Sequence, residues 1–111
     1  MGTMTADDFR RLALSLPDAM EGSHHGNPDF RVGGKIFATL AYERQGFGVV
    51  LVSPEEQKAL ISAAPGTFLP VVGEWGRNGA TRVRLVDADT EEVASALQSA
   101  WTKRAPKRRT S

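Results

Sequence analysis

The sequence predicts an α+β domain: an antiparallel sheet of about five strands with helices packed against it. Three observations predict it. Strong helix openings occur at both ends and in the middle of the chain, apolar residues alternate with polar ones from Asp29 onward, and a glycine pair interrupts that alternation where a hairpin would turn. At 111 residues, 41% hydrophobic and 24% charged, the chain has the size and balance of one globular domain, which excludes a second full domain and a disordered polymer.

Thr5 before Ala6, Asp7 and Asp8 opens the first helix, because a hydroxyl and two acids satisfy and complement its free amides. Phe9, Leu12, Ala13 and Leu16 share its apolar face, and Pro17 stops it. Phe30 and Val32 alternate with Asp29 and Arg31, Gly33-Gly34 supplies a hairpin turn, and Lys35 to Ala41 resumes as a strand. Met20 to His25 is a further strand if it pairs alongside. Phe47 to Val52 is nearly all apolar, as in a central strand covered on both faces. Ser53-Pro54-Glu55-Glu56 opens a second helix whose expected buried face is Ala59, Leu60 and Ala63, with Pro65 as its stop. Gly66 to Gly79 reads as an ordered, packed loop with a short extended piece, in which Trp75 is expected in the core. Thr81, Val83 and Leu85 alternate with Arg82 and Arg84 as a half-buried strand. Asp89 or Thr90 caps a last helix that carries Val93, Ala94, Leu97 and Trp101 and ends near Arg104. The expected core gathers Phe9, Leu12, Leu16, Phe30, Ile36, Phe37, Val49, Leu51, Leu60, Val83, Leu85, Leu97 and Trp101. Residues 1–106 form the expected domain, and residues 107–111 a flexible basic tail.

The formal net charge of +1 conceals segregation along the chain. Asp87, Asp89, Glu91 and Glu92 form an acidic run, whereas Lys103, Arg104, Lys107, Arg108 and Arg109 gather after it without an intervening acid. Such a basic end can meet phosphate, although a solvated, frayed terminus is the simpler reading. Arg82 and Arg84 share one strand face about 7 Å apart, and with Arg77, Arg31 and Lys35 they are candidates for a basic surface. Outward arginines on a sheet equally serve solubility and cross-strand ion pairs.

Several chemistries find no support. The absence of Cys removes disulfides, thiolate catalysis and the usual structural zinc sites. His24 and His25, if on a strand, point to opposite faces and do not converge on one ion, so no metal site is expected. Gly33-Gly34-Lys35 is not followed by Ser or Thr, no GxGxxG opens a helix, and no GxSxG holds a serine. No catalytic set and no cofactor are expected. The start MGTMTADDF lacks a signal-peptide pattern and no apolar run approaches a membrane span, so the expected location is the cytoplasm, with no membrane partner.

Phe9, Ala13-Leu14-Ser15-Leu16-Pro17, His24, Pro28, Phe30-Arg31-Val32, Gly34-Lys35-Ile36-Phe37-Ala38, Ser53-Pro54-Glu55, Trp75-Gly76-Arg77 and the Trp101 helix resemble the MmcQ/YjbR-like family from Phe9 through Lys107. The resemblance implies a double-wing α+β domain and a DNA-binding role, and it brings no catalytic residues. The expected function is charge-driven, sequence-independent DNA binding through Arg31, Lys35, Arg77, Arg82 and Arg84, with Lys103, Arg104, Lys107, Arg108 and Arg109. The alternative is a small-molecule or protein-partner site on the Phe68–Arg77 loop.

Overall fold

Two tight turns organise the first half of the sheet. His25 and Gly26 have φ of 53° and 78°, and Gly33 and Gly34 have 59° and 80°. Paired left-handed residues match the twist of two-residue hairpins. In the computed structural model, which describes residues 4–106, these turns join β1 (Met20–His24), β2 (Asn27–Val32) and β3 (Lys35–Thr39). A 3-10 turn at Glu43–Gln45 leads into β4 (Phe47–Leu51), while β5 (Phe68–Pro70) and β6 (Ala80–Arg84) complete an antiparallel sheet of order β1-β2-β3-β4-β6-β5. There are six strands rather than about five. The extra one, β5, is the short extended piece of the Gly- and Pro-rich stretch; Pro70 is tolerated because β5 lies at the sheet edge.

The helices begin where the capping chemistry places them. Thr5 and Asp8 form a reciprocal capping box on α1 (Ala6–Leu14), Ser53 accepts from the Glu56 amide on α2 (Pro54–Ala63), and Asp89 accepts from the Glu92 amide on α4 (Thr90–Arg104). The hydrogen bonds from Thr5 lower the Asp8 pKa. A four-residue helix, α3 (Glu74–Arg77), follows β5.

One sheet face packs under α1 and α4. Phe9, Phe30, Phe37, Leu40, Val50, Val83 and Leu97 are fully or almost fully buried there, with Phe9 and Phe30 edge to face at 6.3 Å. Gly48 makes room for α1, since a Cβ on it would lie 2.7 Å from the Phe9 ring. The β2–β3 ladder skips Phe37, so Phe37 and Ala38 both join this core while Ile36 packs on the opposite side. Leu12, Leu16, Leu60 and Trp101 flank the core half-buried, and Trp101 fixes the end of α4 by donating its indole N–H to the Pro17 carbonyl at 2.8 Å. The expected face of α2 is corrected: Ala59 and Ala63 are exposed, whereas Gln57 is buried and Leu60 and Ile61 pack inward. Gln57 turns inward because its amide donates to the Gly76 and Ala80 carbonyls, both at 2.9 Å.

On the helix-free face Val49, Leu51, Val71 and Ala80 form a second, smaller apolar cluster, joined by Ile36 and Tyr42. β4 is therefore covered on both sides, as its unbroken apolar run requires. Leu51 is 7% exposed within this cluster, and Leu51→Ala should cost ~2 to 5 kcal/mol in chemical denaturation. A loss below about 0.5 kcal/mol, the range of surface sites, would show that the second cluster contributes nothing to the core.

Candidate functional site on the helix-free sheet face

Cross-strand register defines what this face presents. Gly22, Asp29, Thr39, Val49, Arg82 and Leu69 are paired in one row from β1 to β5. Side chains in such a row point to the same side of the sheet. The neighbouring row pairs Phe47 with Arg84.

Arg82 and Arg84 thus share the helix-free face, as alternation predicts. Their guanidinium carbons lie 4.9 and 5.6 Å from the centre of the Phe47 ring. Each is further held by its Nε, which donates to the Pro70 carbonyl at 3.1 Å for Arg82 and to the Gly66 carbonyl at 3.2 Å for Arg84. Among the described residues neither arginine uses its terminal nitrogens in a hydrogen bond; Asp87 approaches the Arg84 Nε at 4.0 Å. Two planar forks are therefore oriented by the backbone and an aromatic ring with their amino ends available to an anion.

Arg31 is on the same face but engaged. Its Nε and one terminal nitrogen donate to the two carboxylate oxygens of Asp29 at 2.8 and 3.1 Å. The Asp29 side chain is only 2% exposed, and its hydrogen bond raises the Arg31 pKa above the usual value. Gly22 opposite leaves space for this pair, because a Cβ there would come within 3.0 Å of both partners.

The remaining basic residues are elsewhere. Lys35 pairs with Val32, whose side chain belongs to the helix-side core, so Lys35 shares that side of the sheet and is separated from Arg82 and Arg84. Pro106 lies against Gly33 of the β2–β3 turn, and the end of α4, with Lys103 and Arg104, is on that same side of the sheet. Burial, followed by repulsion from Arg104, lowers the Lys103 pKa, and the buried Arg104 Nε has no partner among the described residues. Arg77 is exposed at the end of α3. Lys107, Arg108 and Arg109 lie outside the described residues. The ten candidate residues do not make one patch: Arg31, Arg82 and Arg84 occupy the helix-free face, while Lys35, Lys103 and Arg104 belong to the opposite side.

Two expectations are corrected here. His24 and His25 do not diverge; the left-handed turn at His25 breaks strand alternation and sets their ring centres 4.2 Å apart. Trp75 is not core but 39% exposed, because α3 holds it over the sheet rather than within it. These residues meet across a cavity of about 330 Å³ bounded by His24, His25, Asp29, Thr39, Leu51 and Trp75. A second hollow of about 290 Å³ lies beside Tyr42, Phe47, Val71, Val72 and Arg82. The Phe68–Arg77 segment, the alternative binding element read from the sequence, supplies a wall to each. Alternation alone missed the first cavity; a His-Gly step between two runs of strand character was the available sign of a hairpin at its rim. Among the described residues no three His, Asp or Glu side chains gather as metal ligands, and no helix is long and apolar enough to cross a membrane.

The model of the YjbR family matches residues 14–103, which takes in every strand of this sheet and nearly all of α4. The chain belongs to the YjbR family. The YjbR match includes Arg31, Lys35, Arg77, Arg82, Arg84 and Lys103, and stops short of Arg104. The fold is similar to the crystal structure of Deinococcus radiodurans protein DR2400, described as a DUF419 domain. The TM-score is 0.71 at 21% identity, covering 89% of this chain and 77% of that one. No functionally curated protein matches the chain.

Proposed function

We propose that this YjbR-family domain binds nucleic acid through the helix-free sheet face, with Arg82 and Arg84 holding backbone phosphates. The observation that carries the reading is the fixing of both guanidiniums over Phe47 with each Nε tied to a backbone carbonyl. A guanidinium oriented before its ligand arrives loses less freedom on binding, and its two terminal N–H groups match phosphate oxygens. Exposed Arg77 adds a third charge. The reading provides backbone affinity without base-pair readout, because phosphate contacts position a protein but carry no sequence information.

The division of the basic residues over two sides limits the contacts available at once. With about three phosphates neutralised, affinity for a random-sequence duplex should fall about 40-fold between ~50 and ~200 mM salt. Arg82→Ala/Arg84→Ala should flatten the slope of log affinity against log salt by about two, while Lys35→Ala/Lys103→Ala leaves it unchanged. Titration at several salt concentrations measures both. The opposite pattern would move binding to the helix side, and no binding at ~20 mM salt, where attraction is little screened, would overturn the reading.

A further inference from the structure

The hollow beside Arg82 extends the phosphate contact in a way that a duplex cannot use. Its walls are the half-buried rings of Tyr42 and Phe47 and the side chains of Val71 and Val72, with the Gln45 amide and Arg82 as the polar groups. Among the described residues no carboxylate lines it. Arg82 is thus shared, since the guanidinium tied to the Pro70 carbonyl and resting on Phe47 also bounds the hollow. Val72 is 86% exposed although Val71 before it is buried in the second apolar cluster, so an apolar side chain stands outward at this rim. A single exposed valine is ordinary. Beside two aromatic rings and an oriented cation, it completes the wall of a site for a flat, uncharged group attached to an anion.

Every nucleotide carries that combination, but only one form of nucleic acid can offer it here. In a duplex the bases are paired and stacked inside, so a phosphate on Arg82 would present backbone alone to the hollow. In a single strand the base is free to turn outward and stack on an aromatic side chain. At about 290 Å³ the hollow lies at the small end of ligand pockets, the scale of one base rather than several. We propose that the nucleic acid bound by this domain is single-stranded, with a phosphate on Arg82 and a neighbouring base lodged in the hollow against Tyr42, Phe47 and Val72. The apolar walls set no hydrogen-bond pattern and the Gln45 amide can both donate and accept, so the site takes any base. This inference deepens the nucleic-acid reading above and rests on it for the placement of the phosphate at Arg82.

The full chain is titrated with an oligothymidylate of about ten nucleotides, with an abasic strand of the same length, and with a duplex of that length. The two single strands carry the same phosphates, so any difference between them belongs to the bases. The oligothymidylate should bind at least about fivefold more tightly than the abasic strand, the lower end of what one stacked base contributes, and with the same slope against salt. Tyr42→Ala should bring it down to the abasic level. Because Tyr42 also packs on the second apolar cluster, amide chemical shifts of the parent protein give a readout that needs no variant. Gln45, Phe47 and Val72 should shift with the oligothymidylate and not with the abasic strand. Equal affinity for the two single strands, or tighter binding of the duplex at the same salt, would overturn the single-strand assignment and leave the phosphate contact in place. Base-dependent shifts at His24, Thr39 and Trp75 instead would put the base in the other cavity and overturn this site. Arg82→Ala/Arg84→Ala should weaken both single strands; if it weakens neither, the phosphate contact is overturned even where base-dependent shifts persist.

Discussion

Replacing Gly76 with alanine should destabilise the protein by about 3 kcal/mol or more and displace Trp75 from the sheet face, the upper end of what overpacking costs. The reason is steric. A Cβ on Gly76 would lie 1.6 Å from the carbonyl oxygen of Val71 and 2.6 Å from its carbon, both backbone atoms that no rotamer change can move. The same helical turn is anchored from the other side, where the buried Gln57 amide donates to the Gly76 and Ala80 carbonyls. α3 therefore cannot lift away to admit a methyl group without losing the Gln57–Gly76 hydrogen bond and shifting Trp75 from its place over the cavity. Gly34→Ala is the matched control. Nothing lies within 4 Å of a Cβ there, and only its φ of 80° opposes the substitution. Left-handed strain of that kind costs ~1 to 2 kcal/mol. Urea unfolding of both variants, with tryptophan emission of the folded states, separates packing from backbone strain. If Gly76→Ala costs no more than Gly34→Ala, the close approach of α3 to Val71 is not what fixes the loop.

The contrast between these glycines also explains how much of the molecule was legible in its sequence. Local chemistry wrote the helix starts plainly: Thr5, Ser53 and Asp89 each cap the helix that their neighbours predict. Gly33-Gly34 announced its turn because two residues without side chains have few other reasons to stand between alternating strands. His25-Gly26 adopts the same geometry, but histidine is an uncommon occupant of left-handed backbone, so the turn and the contact between the two rings were hidden. Alternation put Arg82 and Arg84 on one face correctly, and it also placed Asp29 beside Arg31. It could not show that Asp29 is sealed, since that depends on Gly22 from another strand. Trp75 looked like core because it sits among apolar residues. Its position is decided by Gln57 and Val71, contacts remote from it or made by its neighbour Gly76, which no local pattern records. Charge summed along the chain left open whether the basic segments meet, and the β2–β3 hairpin sends Lys35 to the side opposite Arg82.

Arg31→Met should destabilise the folded protein at neutral pH by about 3 kcal/mol, although it removes a half-exposed side chain. Asp29 would remain 98% hidden from solvent with no cation beside it and no donor in place of the Arg31 fork. Removing one member of such a pair leaves an uncompensated charge, which is more costly than losing the pair's attraction. Adding Asp29→Asn should recover much of the loss, because a neutral amide costs less to bury than a carboxylate. Denaturation midpoints for the parent, the single and the double variant decide it. A loss that Asp29→Asn does not reduce would mean that Arg31 acts by packing its stem over Gly22 rather than by neutralising the carboxylate.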